Sequence, residues 1–175
     1  LAAMARELDI RSTFMVVGQC LDRYRDLVGE LRREGFEVGL HDVVHDNRIA
    51  FLDEGEMRAR LEPLLAEWRR DGPLQGFRSP SWYISSTLWK VLEELGFAYD
   101  CSVQDTHFSH DPGRMMGAAT YYPFLVGTLV VLPNTIAFEL PRSLDVGWAE
   151  VPGFWRSKVD HVARTGGLIM INAHP

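Results

Sequence analysis

Apolar and polar positions along this chain switch repeatedly between a period near two and a period near 3.6. Residues 1–8 are rich in Ala and Leu and predict the end of a helix. Residues 10–17 (IRSTFMVV) predict a buried strand closed by Gly18. Helical spacing follows over 21–34, with Leu21, Tyr24, Leu27, Val28 and Leu31 on one face. Arg32 and Arg33 suit the C-terminal dipole of that helix, and Gly35 caps it. Residues 36–40 form a short strand. Residues 53–70 place Met57, Leu61, Leu64, Leu65 and Trp68 on one side of a helix, and Pro63 inside it predicts a kink or two abutting pieces. A strand over 75–79 precedes a helix capped by Ser85 or Ser86, carrying Leu88, Val91, Leu92 and Leu95 and ended by Gly96. Residues 97–103 are a strand, and the polar, Gly- and Pro-rich 104–120 a long loop. One or two strands broken at Gly127 fill 121–132, and 133–150 takes no clear element. Pro152 starts a helix that runs to Thr165 and stops at Gly166-Gly167, before a buried strand over 168–171.

Strand and helix alternate along the whole chain. That order predicts one α/β domain over residues 1–175, with a mostly parallel sheet, open or closed into a barrel. In such sheets reactive groups gather at the C-terminal ends of strands. The residues that follow the strands here are His41 and His45, then Arg78 with Pro80 and Trp82, then Asp100 and Asp105, then His174.

Each of these has a plain reading and a chemical one. His41 and His45 lie four apart, so on one helical turn they would face the same way and could close on one divalent ion. Asp42 and Asp46 could then orient the imidazoles, whereas the plain reading is a surface or capping pair. Arg78 is either a surface ion-pair partner or a guanidinium that holds a carboxylate. Trp82 is core or the wall of a pocket, and Asp100 and Asp105 are loop caps or partners of a histidine. His174 is a buried, backbone-satisfied histidine or a general acid. His107, His110 and Asp111 read as a solvated loop, and His161 as structural.

Composition narrows the partners. A net charge of -6 disfavours nucleic acid and anionic membranes, and no apolar run is long enough to span a bilayer. Two cysteines, Cys20 and Cys101, predict free buried thiols rather than a disulfide scaffold, which favours a reducing, cytoplasmic compartment. Both ends read as cut. The chain opens without Met inside a helix and stops at Pro175 straight after a strand, so a leader could lie outside it.

Five stretches in order resemble the polysaccharide deacetylase (NodB-homology) family. They are Ser12-Thr13-Phe14-Met15-Val16-Val17-Gly18; residues 31–45 with His41 and His45; Gly76-Phe77-Arg78-Ser79-Pro80-Ser81-Trp82; residues 95–102 with Tyr99-Asp100-Cys101-Ser102; and residues 168–175. The resemblance implies a distorted (β/α) barrel, whose first strand is missing from this chain, with a divalent metal, usually zinc. In it His41 and His45 match the two metal-binding histidines. Arg78 matches the arginine that orients a catalytic carboxylate, and His174 the histidine that protonates the leaving amine. The backbone near Ser81 helps to hold an oxyanion, and Asp100 or Asp105 stands where an acidic residue pairs with the acid histidine. The family's Asp pair, one a metal ligand and one a base, has no match in residues 1–12, since Asp9 is isolated. Asp42 replaces a common Ser or Thr, Ser81 a common aromatic and Phe36 a common His.

The implied activity is hydrolysis of non-peptide C–N bonds, foremost N-deacetylation of a carbohydrate. The alternatives are hydrolysis of a small amide or ureide, as in allantoinase, and an inactive carbohydrate-binding homologue.

Overall fold

The computed structural model describes residues 2–105, 117–137 and 147–174. Helix α1 (Ala2–Glu7) leads into β1 (Thr13–Val16), α2 (Leu21–Arg33) and β2 (Glu37–Leu40). Helix α3 (Glu54–Trp68), β3 (Gly76–Phe77), α4 (Ser86–Glu94) and β4 (Tyr99–Asp100) follow. Then come β5 (Phe124–Val126), β6 (Leu129–Val131), β7 (Ile136–Ala137), α5 (Val151–Thr165) and β8 (Ile171–Asn172). The main sheet has the order β1-β2-β3-β4-β6-β5. Its pairs are parallel except for the β5–β6 hairpin, and β7 and β8 form a separate parallel pair. The fold is therefore the expected α/β type with a mixed sheet. Among the described residues the strands form an open arc and not a closed ring.

Helices α3 and α4 bury most of the face that their spacing predicts. Met57, Leu61, Leu65 and Trp68 of α3 and Leu88, Val91 and Leu92 of α4 pack on Val38, Leu40 and Phe77 of the sheet. Each such side chain removed from water contributes about 1.5–3 kcal/mol. A capping box holds the start of α3, with Asp53 accepting from the Glu56 N–H at 2.8 Å and Glu56 accepting from the Asp53 N–H at 3.0 Å. Ser85 caps α4 by accepting from the Leu88 N–H at 3.1 Å. Across the N-terminal ends of the strands, Glu37 accepts from Thr13 at 3.0 Å and from Tyr99 at 2.9 Å. Gly76 makes room for that tyrosine, because a Cβ there would lie 2.3 Å from its ring.

Several expectations fail for physical reasons. Pro63 does not break α3, whose residues are all helical. Pro63 and Ala59 both face solvent, so water can satisfy the carbonyl deprived of a donor. Tyr24 and Leu27 are exposed, and α2 buries only Leu21, Val28 and Leu31. The irregular backbone lies there instead, at Tyr24 (φ -120, ψ 21). The strand over 97–103 pairs only at Tyr99–Asp100, and β8 leaves Ile171 exposed where a buried strand was expected. Strand β7 arises in the unassigned stretch 133–150. Cys20 and Cys101 are both free, but only Cys101 is buried. No described helix is long and apolar enough to cross a membrane. His107, His110 and Asp111 lie outside the described residues.

Candidate active site

Beyond Leu40 the chain does not enter a helix. Asp42 takes a left-handed backbone (φ 58), a conformation that a short polar side chain tolerates, and the following residues are irregular. The helical turn expected for His41 and His45 is thus replaced by a loop reversal. It brings the two rings together all the same, with centroids 5.0 Å apart and planes at 73°. Asp42 and Asp46 do not orient the imidazoles, because their carboxylates bond Arg60 of α3.

His41 is fixed by the neighbouring strand. Its N–H donates to the Val16 carbonyl at 2.8 Å, and its Nδ1 lies 2.8 Å from the Arg78 carbonyl. A carbonyl only accepts, so Nδ1 carries the proton and Nε2 keeps its lone pair. Burial lowers the His41 pKa to about 4, assisted by the nearby charges of Arg78, His45 and His174. His41 is therefore neutral at pH 7, the form that ligates a metal. His174, an exposed residue just past β8, is near enough to His41 to add to that lowering. The buried, backbone-satisfied reading of His174 does not hold.

Arg78 leaves β3 with its N–H on the Leu40 carbonyl at 2.9 Å. Its guanidinium lies 3.8 Å from the centre of the Trp82 ring, and Nη1 donates to Asn172 Oδ1 of β8. Trp82 is buried beneath Arg78, with its ring stacked against the guanidinium. The turn that places it is strained, with Ser81 at φ 54 and Trp82 at φ 63. Two successive left-handed residues other than glycine cost on the order of 1–3 kcal/mol each and concentrate where function constrains the chain. Ser102 Oγ steadies this turn by accepting from the Ser79 N–H at 2.7 Å.

The two acidic candidates separate. Asp100 is fully buried, accepting from Trp89 Nε1 at 2.9 Å and from Ser102 Oγ. Asp105 is buried too and pairs with Lys158 of α5 at 2.7 Å. Burial raises the Asp100 pKa to about 6. The folded state then holds its proton more tightly than the unfolded chain does. The stability linked to Asp100 is full below about pH 4 and is lost as pH rises through about 6, on the order of 3 kcal/mol in all. Unfolding free energy is expected to fall over that window, and Asp100→Asn is expected to flatten the fall whatever it does to absolute stability. Urea titrations at pH 4, 5, 6 and 7 measure both slopes, and parallel curves for the two proteins would refute the assignment.

His41, His45, Arg78 and Trp82 thus share one end of the main sheet, with Asp100 beneath the Arg78 turn, and His174 lies two residues after the Asn172 that bonds Arg78. Ser81 sits half-buried beside Trp82. Asn172 was not singled out from the sequence, although a polar residue at the end of an apolar strand two positions before His174 is a visible signal. Arg60, Trp89 and Lys158 carried no local signal, and Ser102 was visible only within the Tyr99-Asp100-Cys101-Ser102 stretch. His161 packs edge-on against Tyr121 at 5.5 Å, a structural contact. Among the described residues no third His, Cys, Asp or Glu joins the histidine pair in a metal-binding group. The pair itself fits an ion, since the Arg78 carbonyl holds Nδ1 of His41 and so directs the lone pair to Nε2.

The fold is shared with known structures. A protein from Mycobacterium smegmatis described as a polysaccharide deacetylase superposes with a TM-score of 0.73 at 21% identity, covering 97% of this chain and 60% of that one. An allantoinase gives 0.66 at 18% identity, covering 98% of this chain and 57% of that one. A CE4 family pseudoenzyme from Bacillus anthracis gives 0.54 at 12% identity, covering 97% of this chain and 57% of that one. The chain therefore spans 57–60% of the length of these structures. No curated protein matches it. The family model for polysaccharide deacetylase matches residues 1–99, the part that carries β1, the histidine loop, the Arg78 turn and α4. The chain belongs to the polysaccharide deacetylase family.

Proposed function

We propose that this site hydrolyses the amide C–N bond of an N-acetylated carbohydrate with the help of a divalent metal, most simply zinc. The observation that carries the reading is the facing of His41 and His45 at 5.0 Å, with His41 Nδ1 bound to the Arg78 carbonyl. The two imidazoles would hold the ion through neutral ring nitrogens. A bound zinc ion supplies electrophilic assistance and lowers the pKa of a coordinated water from about 15.7 to about 7. Arg78, stacked on Trp82, presents a fixed guanidinium suited to holding a carboxylate. The strained Ser81–Trp82 backbone shapes the rim on which the acetyl group would lie. His174, on the exposed side, would give a proton to the departing nitrogen while the oxygen of a water bonds to the acyl carbon, so that the C–N bond breaks to an amine and acetate.

The experiment is a substrate screen on the zinc-loaded full-length protein. Acetate release from N-acetylglucosamine oligomers is the expected result. Hydrolysis of allantoin without acetate release would move the site to small ureides. Binding of the oligomers with no turnover would make the protein a carbohydrate-binding homologue, and either outcome would overturn the proposal.

A further inference from the structure

The loop that carries both histidines is held from two sides. On the sheet side, the Gly18 and Gln19 N–H groups donate to the Asp42 and Val43 carbonyls, each at 2.8 Å. On the outer side one guanidinium does the holding. Arg60 of α3 donates through Nη2 to Asp42 Oδ2 at 2.7 Å, to Asp46 Oδ1 at 2.9 Å and to the Val44 carbonyl at 2.5 Å. Its Nη1 reaches Asp46 Oδ2 at 3.1 Å. Asp42 and Val44 lie between the two histidines, and Asp46 follows the second.

The arrangement is specific to this loop. Asp42 is fully buried, and its other oxygen accepts from the Val43 N–H at 2.6 Å, so the side chain spans the reversal from within. A carboxylate removed from water to that extent is stabilised by a paired cation, and among the described residues Arg60 pairs with it at 2.7 Å. Arg60 Nε is buried without a hydrogen-bond partner among the described residues, so the planar group is aimed by its loop contacts and not by α3. Four acceptor atoms from three residues set around one planar fork suit arginine, and a lysine ammonium would meet them only in part.

We propose that Arg60 is a positioning residue for the histidine pair. It holds the left-handed turn at Asp42 in the conformation that faces His45 onto His41, and so sets the pair's affinity for a divalent ion. Asp42 and Asp46 serve as its anchors. This role rests on the metal-dependent reading of the site.

The test uses the full-length protein with Arg60→Met, Arg60→Lys and Asp46→Asn. Two readouts are independent of turnover: amide hydrogen exchange at Gly18, Gln19, Val43 and Asp46, and zinc affinity by competition with a chromophoric chelator. Arg60→Met is expected to raise exchange at these amides at least tenfold while exchange in α4 is unchanged, and to weaken zinc by about 10–100-fold. Arg60→Lys is expected to recover part of both losses. Asp46→Asn, which leaves the Asp42–Arg60 pair intact, is expected to move both in the same direction by less, and it decides the matter if Arg60→Met does not fold. Unchanged exchange would overturn the clamp. Raised exchange with unchanged zinc affinity would overturn its link to the histidines. A wild-type protein that takes up no zinc would instead remove the metal-dependent reading, and the positioning role with it.

Discussion

His41→Ala is expected to strip the protein of zinc and abolish turnover. The loss should exceed the roughly 10–100-fold that removal of an outer partner costs, because the substitution deletes a ligand and not its support. His41 is already neutral near pH 7, so no proton has to leave before it can ligate. Its ring is oriented by the Arg78 carbonyl, and its backbone by the Val16 carbonyl. A histidine held in this way from two strands has little freedom to be replaced by a neighbour. The substitution should leave the fold intact, since the core beneath it is formed by Val38, Leu40 and Phe77. Zinc per chain after gel filtration, alongside acetate release, checks the prediction. Full zinc occupancy in the variant would sink the assignment of His41 as a ligand.

His174→Ala is expected to separate the two halves of the chemistry. Zinc content should be unchanged, and kcat should fall about 10²–10⁴-fold, the usual contribution of a positioned acid. The residue is exposed past the end of β8, so its removal opens no cavity in the core. Two residues before it, Asn172 accepts a hydrogen bond from Arg78 and ties that segment to the Arg78 turn. The loss should be smaller on substrates with a better leaving group, because such a nitrogen departs with less need of a proton. Equal losses on amide and activated ester substrates would assign His174 to binding and not to proton transfer.

The two periods in the sequence were enough to place most elements, and they failed where tertiary contact decides. The stripe on α3 was legible because Met57, Leu61, Leu65 and Trp68 recur on one face and all meet the sheet. The stripe on α2 was read too wide. Tyr24 and Leu27 keep the period, but nothing in the described structure covers them. Pro63 was expected to kink the helix or join two abutting pieces, because sequence does not reveal which side of a helix has water for the orphaned carbonyl. The short strands β3, β4 and β8 were overextended, since an apolar run says nothing about how many residues find a partner in register.

The site was legible as a set of strand-end residues. His41, His45, Arg78 and His174 follow strands in order, and that placement requires no side-chain geometry. The conformation of the histidine loop was not legible. Spacing of four fits a helical turn as well as a reversal, and the left-handed Asp42 that decides between them depends on a partner 18 residues away. Arg60 and Asn172 matter through contacts that cross the fold, where no local pattern points to them. Trp82 was visible as an aromatic beside Arg78, but its burial beneath the guanidinium follows only from the strained turn.

The central claim is that His41 and His45 together hold one divalent ion. X-ray absorption at the zinc edge, on the zinc-loaded full-length protein and on His45→Ala, addresses it without any substrate. Two imidazole nitrogens at about 2.0–2.1 Å are expected in the wild-type spectrum, with one lost in the variant. A first shell made of oxygen alone, or one left unchanged by His45→Ala, would mean that the ion binds elsewhere and that the pair is not its site.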